Sequence, residues 1–358
     1  MKRIINNVIL GGLMMMFSIS MHAEAAFDQL LPDERNTIQV FKKASPAVVY
    51  VHRMAQVHSE QHARLQVVPS GSGSGLIWDK QGHIVTNFHV IQGADALAVT
   101  LGDTTVKAKL VGVEPRWDLA VLKISSPVAL KSLERFTPLA IASTQELMVG
   151  QKAIAIGNPF GFDHSLTKGI ISALGRQMLG IGGVTIHDMI QTDASINPGN
   201  SGGPLLDSAG RLIGLNTVII SKSGSSSGVG FAIPADHILR VVTQLIQHGR
   251  VILAGIGVQP VMPSLAYQLG VANGILVAEV LPNTPAEKAH LQPTVRDVWG
   301  RVHLGDVITA VNGHPVADYD MLYHLFSDIK IGETITVTVL RNQKEKRYRM
   351  KTIDIAAM

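Results

Sequence analysis

The sequence predicts a mainly β protein of two domains, a barrel or sandwich of many short strands followed by a small α+β domain. Short apolar, β-branched runs separated by glycine-rich turns succeed one another over residues 48–233. Hydrophobic residues make up 46% of the chain against 16% charged, with 34 glycines and few aromatics, a balance that suits a turn-rich globular protein and excludes disorder or a coiled coil. The 358 residues exceed the roughly 100–200 that one core commonly serves.

Within the first domain, strand-length runs fall at 48–51, 75–78, 83–86, 97–100, 120–124 and 152–156. Helical signals are confined to 33–44, 234–248 and 319–329. In the middle one, Ile238, Val241, Val242, Leu245 and Ile246 recur at helical spacing, and the pattern stops at Gly249. That stop sets the boundaries: residues 1–25 a signal peptide, 26–248 the first domain, 249–253 a linker, and 254–352 a second domain with strands near 256–258, 274–277, 306–311 and 334–340. The Ser/Gly-rich stretch 221–228 reads as a pliable loop.

Lys2 and Arg3, an apolar run over 4–20 and the Ala23-Glu24-Ala25 triplet form a secretory signal, with cleavage expected after Ala25 and a periplasmic destination. The alternative is an uncleaved inner-membrane anchor, although the run falls short of the ~20 residues a spanning helix needs. The absence of cysteine removes disulfides and thiol chemistry. A formal charge of +4 without a basic run argues against nucleic acid as a partner.

The motif that carries most chemistry is Asn197-Pro198-Gly199-Asn200-Ser201-Gly202-Gly203-Pro204. A serine hydroxyl is a poor nucleophile at neutral pH and needs an adjacent base and N–H donors for the developing oxyanion. The flanking glycines permit a sharp turn that aims the Gly199 and Ser201 N–H groups into one pocket; a glycine-rich hairpin turn is the inert alternative. His89, at the end of the run Val85-Thr86-Asn87-Phe88, is the base, singled out of fourteen histidines by that context. Asp118, opening the apolar run 119–122, is the acid that binds the imidazole N–H and fixes its tautomer, although an aspartate there is commonly a cap. The order His89, Asp118, Ser201 links the three. This chemistry calls for no metal or cofactor.

These segments resemble the chymotrypsin-like clan and, in wording, the HtrA (Deg) family of serine endoproteases. The similarity runs through Gly71-Ser72-Gly73-Ser74-Gly75, Thr86-Asn87-Phe88-His89-Val90, Gly157-Asn158-Pro159-Phe160-Gly161, Gln191-Thr192-Asp193-Ala194-Ser195 and Gly230-Phe231-Ala232-Ile233-Pro234. The resemblance implies a double six-stranded β-barrel with His89, Asp118 and Ser201 as catalytic triad, Gly199 and Ser201 as the oxyanion hole, and a homotrimer or higher oligomer. It further implies a regulatory loop over 172–188 whose Arg176 receives a signal, a position that also suits a solvated loop arginine. Ile196 and Ile219 are implied to line the specificity pocket, and Thr217, Val218 and Ile219 to pair with substrate; Ile196 fits a core role equally. Ser195 stands where trypsins place their cation-binding acid.

The last hundred residues resemble a PDZ domain in Gly274-Ile275-Leu276-Val277, Leu304-Gly305-Asp306-Val307-Ile308 and Val311-Asn312-Gly313. The resemblance implies capture of peptide C-termini, with Gly255-Ile256-Gly257-Val258 as the carboxylate loop. Gly255 departs from the aromatic residue often found there. Residues 292–302 form an insertion similar to those of plant and cyanobacterial Deg proteases, and the segment 54–69 is short. The implied activity is hydrolysis of misfolded or unfolded envelope proteins under PDZ control. A narrow protease cutting one partner and a non-enzymatic holdase are the competing readings.

Overall fold

The computed structural model describes residues 27–59, 64–161, 163–179, 185–217 and 228–357. The candidate signal peptide, Val218, Ile219 and nearly all of 221–228 lie outside them. Among the described residues no helix is long and apolar enough to cross a membrane. The chain divides into two compact units, the second formed mainly by the residues from Thr243 onward.

The first unit holds two closed six-stranded barrels, as the resemblance implied. Strands β1 (Val48–Ser59), β2 (Arg64–Ile77), β3 (His83–Asn87), β4 (Ala96–Leu101), β5 (Thr104–Glu114) and β6 (Leu119–Ile124) close in the order β1-β2-β3-β6-β5-β4. All pairings observed in this barrel are antiparallel, and β1 seals it by pairing with β4, Val51 opposite Val99. Val51, Ile84, Val85, Val99, Leu119 and Leu122 are fully buried. Each contributes about 1.5–3 kcal/mol through the apolar surface it removes from water.

The second barrel comprises β7 (Lys152–Gly157), β8 (Ser165–Leu179), β9 (Thr185–Thr192), β10 (Pro204–Leu206), β11 (Leu212–Thr217) and β12 (Gly230–Pro234), ordered β10-β11-β12-β9-β8-β7 and closed by β10 against β7. The N-terminal helix Pro32–Ala44 is tied to it: Asp33 pairs with both Lys152 and Lys168, and Asn36 donates to the Ser208 carbonyl at 2.8 Å. The helix Ala235–His248 follows β12 and buries Ile238, Val241, Val242 and Leu245, the spacing read from the sequence.

Helices are more numerous than the three the sequence signals. Short ones occur at Phe88–Ile91, Pro127–Ser132, Pro263–Gln268 and Pro285–Lys288. Each is one or two turns, too brief to show an apolar period, and three of the four begin at proline, whose fixed φ suits a first helical turn. Residues 172–188, expected as a loop, belong mostly to β8 and β9.

In the second unit, β14 (Val258–Pro260), β15 (Ile275–Val280), β18 (Val307–Val311), β20 (Thr334–Arg341) and β21 (Lys344–Lys351) form one sheet in that order. β19 (His314–Pro315) adds to β18, and β13 (Ala254–Gly255) pairs with β22 (Ile353–Asp354). The insertion folds into a small hairpin of β16 (Val295–Arg296) and β17 (Val302–His303). The helix Tyr319–Ser327, capped by Asp318 accepting from the Met321 N–H, buries Leu322, Tyr323 and Phe326 in a core with Val277, Ile308 and Val337. Asp306, fully buried, is satisfied by two bonds from Arg341 and by the Gln292 N–H.

Candidate active site

His89 lies in the one-turn helix Phe88–Ile91 directly after β3, not on the strand itself. Strand β3 delivers it to the edge of the first barrel, and the turn lifts its ring off the sheet. Asp118 precedes β6, which is the hydrogen-bonded neighbour of β3, Asn87 facing Leu119. The two residues therefore meet because adjacent strands end together. Asp118 Oδ1 accepts from the His89 N–H at 2.9 Å and Oδ2 meets His89 Nδ1 at 2.8 Å. A carboxylate oxygen only accepts, so Nδ1 carries the ring proton and Nε2 is left with its lone pair for a further partner.

Asp118 is 3% exposed and takes φ +51°, a left-handed conformation that aspartate tolerates better than most residues. Its carbonyl accepts from the Phe88 N–H at 3.0 Å and from Asn87 Nδ2 at 3.1 Å. The Thr217 hydroxyl, from β11 of the other barrel, donates to Asp118 Oδ2 at 2.8 Å. Thr217, expected to border the substrate, thus turns its buried side chain to the acid. This bond bridges the two barrels.

Ser201 sits in the turn before β10. Four backbone bonds fix that turn: the Ser201 carbonyl accepts from the Ser74 N–H at 2.8 Å, the Gly202 N–H donates to the Asn216 carbonyl at 2.9 Å, and the Asn200 and Gly203 N–H groups donate to the Asn197 and Asn200 carbonyls, each at 3.0 Å. Asn216 is the chain neighbour of Thr217, so the turn holding Ser201 and the hydroxyl touching Asp118 are anchored to one segment. The Ser201 hydroxyl is buried and has no hydrogen-bond partner among the described residues. A buried hydroxyl without a partner costs about 1–3 kcal/mol.

Gly199 takes φ +105°, and a Cβ there would lie 2.3 Å from Pro159 Cβ, so only glycine fits. Among the described residues, neither the Gly199 nor the Ser201 N–H donates to a protein acceptor. Ser74 governs this loop. Its hydroxyl donates to the Gly199 carbonyl and accepts from the Asn158 N–H at 2.7 Å. The sequence offered Ser74 only as part of a Gly/Ser run; the long-range bonds that give it a role leave no local signal.

Ile196 is 7% exposed, packs with the core of the second barrel and closes on Gly230. Arg176 projects from β8, exposed, and its Nε donates to Gln191 Oε1 of β9 at 3.0 Å. In the second unit, Gly255 ends β13, Ile256 is buried, Gly257 takes φ +83° and Val258 opens β14. The Ile256 and Gly257 carbonyls accept from Ala286 and Leu281, while their N–H groups meet no acceptor among the described residues. β14 is an edge strand, open on the side away from β15.

Residues 73–215 match the family described as trypsin-like peptidase domain, and residues 254–352 match PDZ domain. Protease Do-like 1, chloroplastic, of Arabidopsis thaliana is 49% identical over 89% of this chain and 72% of its own length. A probable periplasmic serine endoprotease DegP-like of Brucella suis is 42% identical over 81% of this chain and 53% of its own. Among solved structures, the HtrA-type protease AlgW with decapeptide superposes with a TM-score of 0.67 at 36% identity, covering 89% of this chain and 98% of that one. The serine endoprotease from Yersinia pestis superposes with a TM-score of 0.62 at 32% identity, covering 89% and 98%. With a closed double barrel, a hydrogen-bonded His–Asp pair and these relatives, the chain belongs to the HtrA/DegP-like family of serine endopeptidases, carrying a trypsin-like peptidase domain and a C-terminal PDZ domain.

Proposed function

We propose that His89, Asp118 and Ser201 are the catalytic triad of an endopeptidase that hydrolyses misfolded or unfolded proteins of the cell envelope. The observations that support this reading are the hydrogen-bonded series Thr217–Asp118–His89 and a buried Ser201 hydroxyl with no hydrogen-bond partner among the described residues. Ser201 Oγ attacks the scissile carbonyl carbon as its proton passes to His89 Nε2, and the Asp118 carboxylate stabilises the imidazolium. The N–H groups of Gly199 and Ser201 receive the oxyanion. Collapse expels the amine, which takes the proton from His89 and leaves an acyl-serine; water then attacks by the same route and releases the acid.

The resemblance assigns Ile196 to a shallow apolar specificity pocket, and cleavage is expected after small aliphatic residues. An unpaired Lys or Arg charge there would meet a large desolvation cost. The 254–352 domain captures peptide C-termini through the loop 255–258, and the active form is a homotrimer or higher oligomer. Residues 1–25 direct the chain to the periplasm, the compartment named for the Brucella relative; recovery of a chain beginning at Ala26 from that fraction checks it. Casein is expected to be cleaved by the wild type and not by Ser201→Ala, with a fluorophosphonate labelling only the former. A Ser201→Ala protein that still degrades casein would refute the assignment.

A further inference from the structure

The stretch after β21 returns to the loop that opens the second unit. β22 pairs antiparallel with β13, Gly255 opposite Ile353 and Ala254 opposite Asp354, and the Ile355 N–H extends the ladder to the Leu253 carbonyl at 2.9 Å. Asp354 locks the end: its carboxylate accepts from Arg250 at 2.6 Å and from the Ala356 N–H at 3.0 Å. Ile355 is thereby held beside Gly255. A Cβ on Gly255 would lie 2.6 Å from Ile355 Cγ2, 2.7 Å from Cδ1 and 3.0 Å from Cγ1, distances that real Cβ contacts do not show.

Gly255 is not among the glycines with positive φ, so its backbone would accept any L residue. What only glycine provides is room, and Ile355 fills it. The side chain of Ile355 then faces, with Ile256, Val258, Leu322, Tyr323 and Phe326, a cavity of about 60 Å³ between the loop, the edge strand β14 and the helix Tyr319–Ser327. The neighbouring groove, past Pro260 and Tyr319, measures about 670 Å³. A peptide adding to β14 with its carboxylate on the Ile256 and Gly257 N–H groups places its last side chain in the smaller space.

We propose that Ile355 is a specificity-determining residue of the peptide groove, supplying from the turn just past β22 the wall that residue 255 lacks and restricting the ligand's C-terminal side chain to a small aliphatic one such as Ala or Val. This rests on reading 255–258 as the carboxylate loop. A full-length protein carrying Ser201→Ala, to prevent cleavage, is titrated by fluorescence anisotropy with two decapeptides alike except for a last residue of Val or Phe, and with the Val peptide amidated. The starting protein is expected to prefer Val over Phe at least on the order of tenfold, the lower end of what even one extra methylene costs in an apolar pocket.

Ile355→Ala is expected to erase or reverse that preference. Gly255→Val, which evicts Ile355, weakens both peptides, and adding Ile355→Ala to it restores binding. Ile355→Val provides a milder step, expected to shift the ratio the same way, should the alanine variant fail to fold. An unchanged Val-to-Phe ratio in a folded Ile355 variant overturns the proposal while leaving the carboxylate loop standing. Equal binding of the amidated peptide overturns the loop reading, and the proposal with it.

Discussion

The Thr217 hydroxyl and the His89 imidazole meet the same oxygen of Asp118, each at 2.8 Å. One donor comes from each barrel, so the acid is set by both halves of the peptidase unit at once. Thr217→Val keeps the shape and removes the donor. Bonds to a charged group contribute about 1.5–3 kcal/mol, so kcat/KM is expected to fall roughly 10- to 100-fold. The loss should lie in kcat with KM nearly unchanged, and Thr217→Ser should recover most of it. Hydrolysis of a fluorogenic peptide decides; a Thr217→Val enzyme with unchanged kcat would mean that the hydroxyl does not position Asp118.

Ser74 is the second positioning residue. Its hydroxyl holds the Gly199 carbonyl and the Asn158 N–H together, and its own N–H holds the Ser201 carbonyl. Ser74→Ala leaves the buried Asn158 N–H and the part-buried Gly199 carbonyl unpaired, at up to about 1–3 kcal/mol for each unsatisfied group. Because one of them belongs to the Gly199 peptide, the cost can be relieved by rotating that peptide, which would move its N–H and spoil the oxyanion geometry. Labelling by a fluorophosphonate is expected to slow at least tenfold while the fold persists by circular dichroism. Labelling at the wild-type rate would show that Ser74 has no hold on the loop.

The N-terminal helix predicts a pH response. Bonds from Lys152 and Lys168 hold the Asp33 carboxyl at about 2, below its ordinary 3.8. A carboxylate whose folded value is depressed contributes stability above its unfolded value, and that contribution is lost as pH falls toward the folded one. The window is therefore about pH 4 to pH 2. Asp33 is half exposed, so salt screens the effect. At low salt the melting temperature of the wild type should drop more steeply through this window than that of Asp33→Asn, and the two should converge at its acid end. Parallel curves would show that the pairs add nothing to the docking of the helix.

What the sequence made legible was local. The β-branched runs at 83–86 and 120–124 became β3 and β6, and their contexts pointed to His89 and Asp118, which the ends of those strands bring together. The missing parts are those that depend on distant partners. Phe88–Ile91 is too short to show a helical period, and its turn of helix is held by the Gln92 N–H on the Phe88 carbonyl and by bonds to Asp118. The functions of Ser74 and Thr217 arise across the barrels, and β22 finds β13 about a hundred residues back along the chain. Gly255 looked like a departure from its family; the reason stands at Ile355, beyond the range of any local pattern.

Arg176 carries the final prediction. It was expected in an irregular loop, and it lies instead on β8, exposed, with its Nε bonded to Gln191 of the paired strand β9 at 3.0 Å. β9 leads through Thr192 into the segment 193–200 that ends at Ser201, and Thr192 is itself fixed by its hydroxyl on the Ile170 carbonyl at 2.7 Å. Whatever engages the guanidinium therefore competes with Gln191 at the base of the segment carrying Gly199. A ligand or neighbouring subunit that binds Arg176 better in one arrangement of this segment shifts the population toward it by the difference in affinity. Arg176→Ala should accordingly reduce activation by C-terminal peptides while leaving the melting temperature nearly unchanged, since one exposed hydrogen bond contributes little to folding. Gln191→Ala, which frees Arg176 without removing it, should preserve activation. Full peptide activation in Arg176→Ala would remove the residue from the switch, and equal loss in both variants would place the effect in the β8–β9 pairing rather than in the guanidinium.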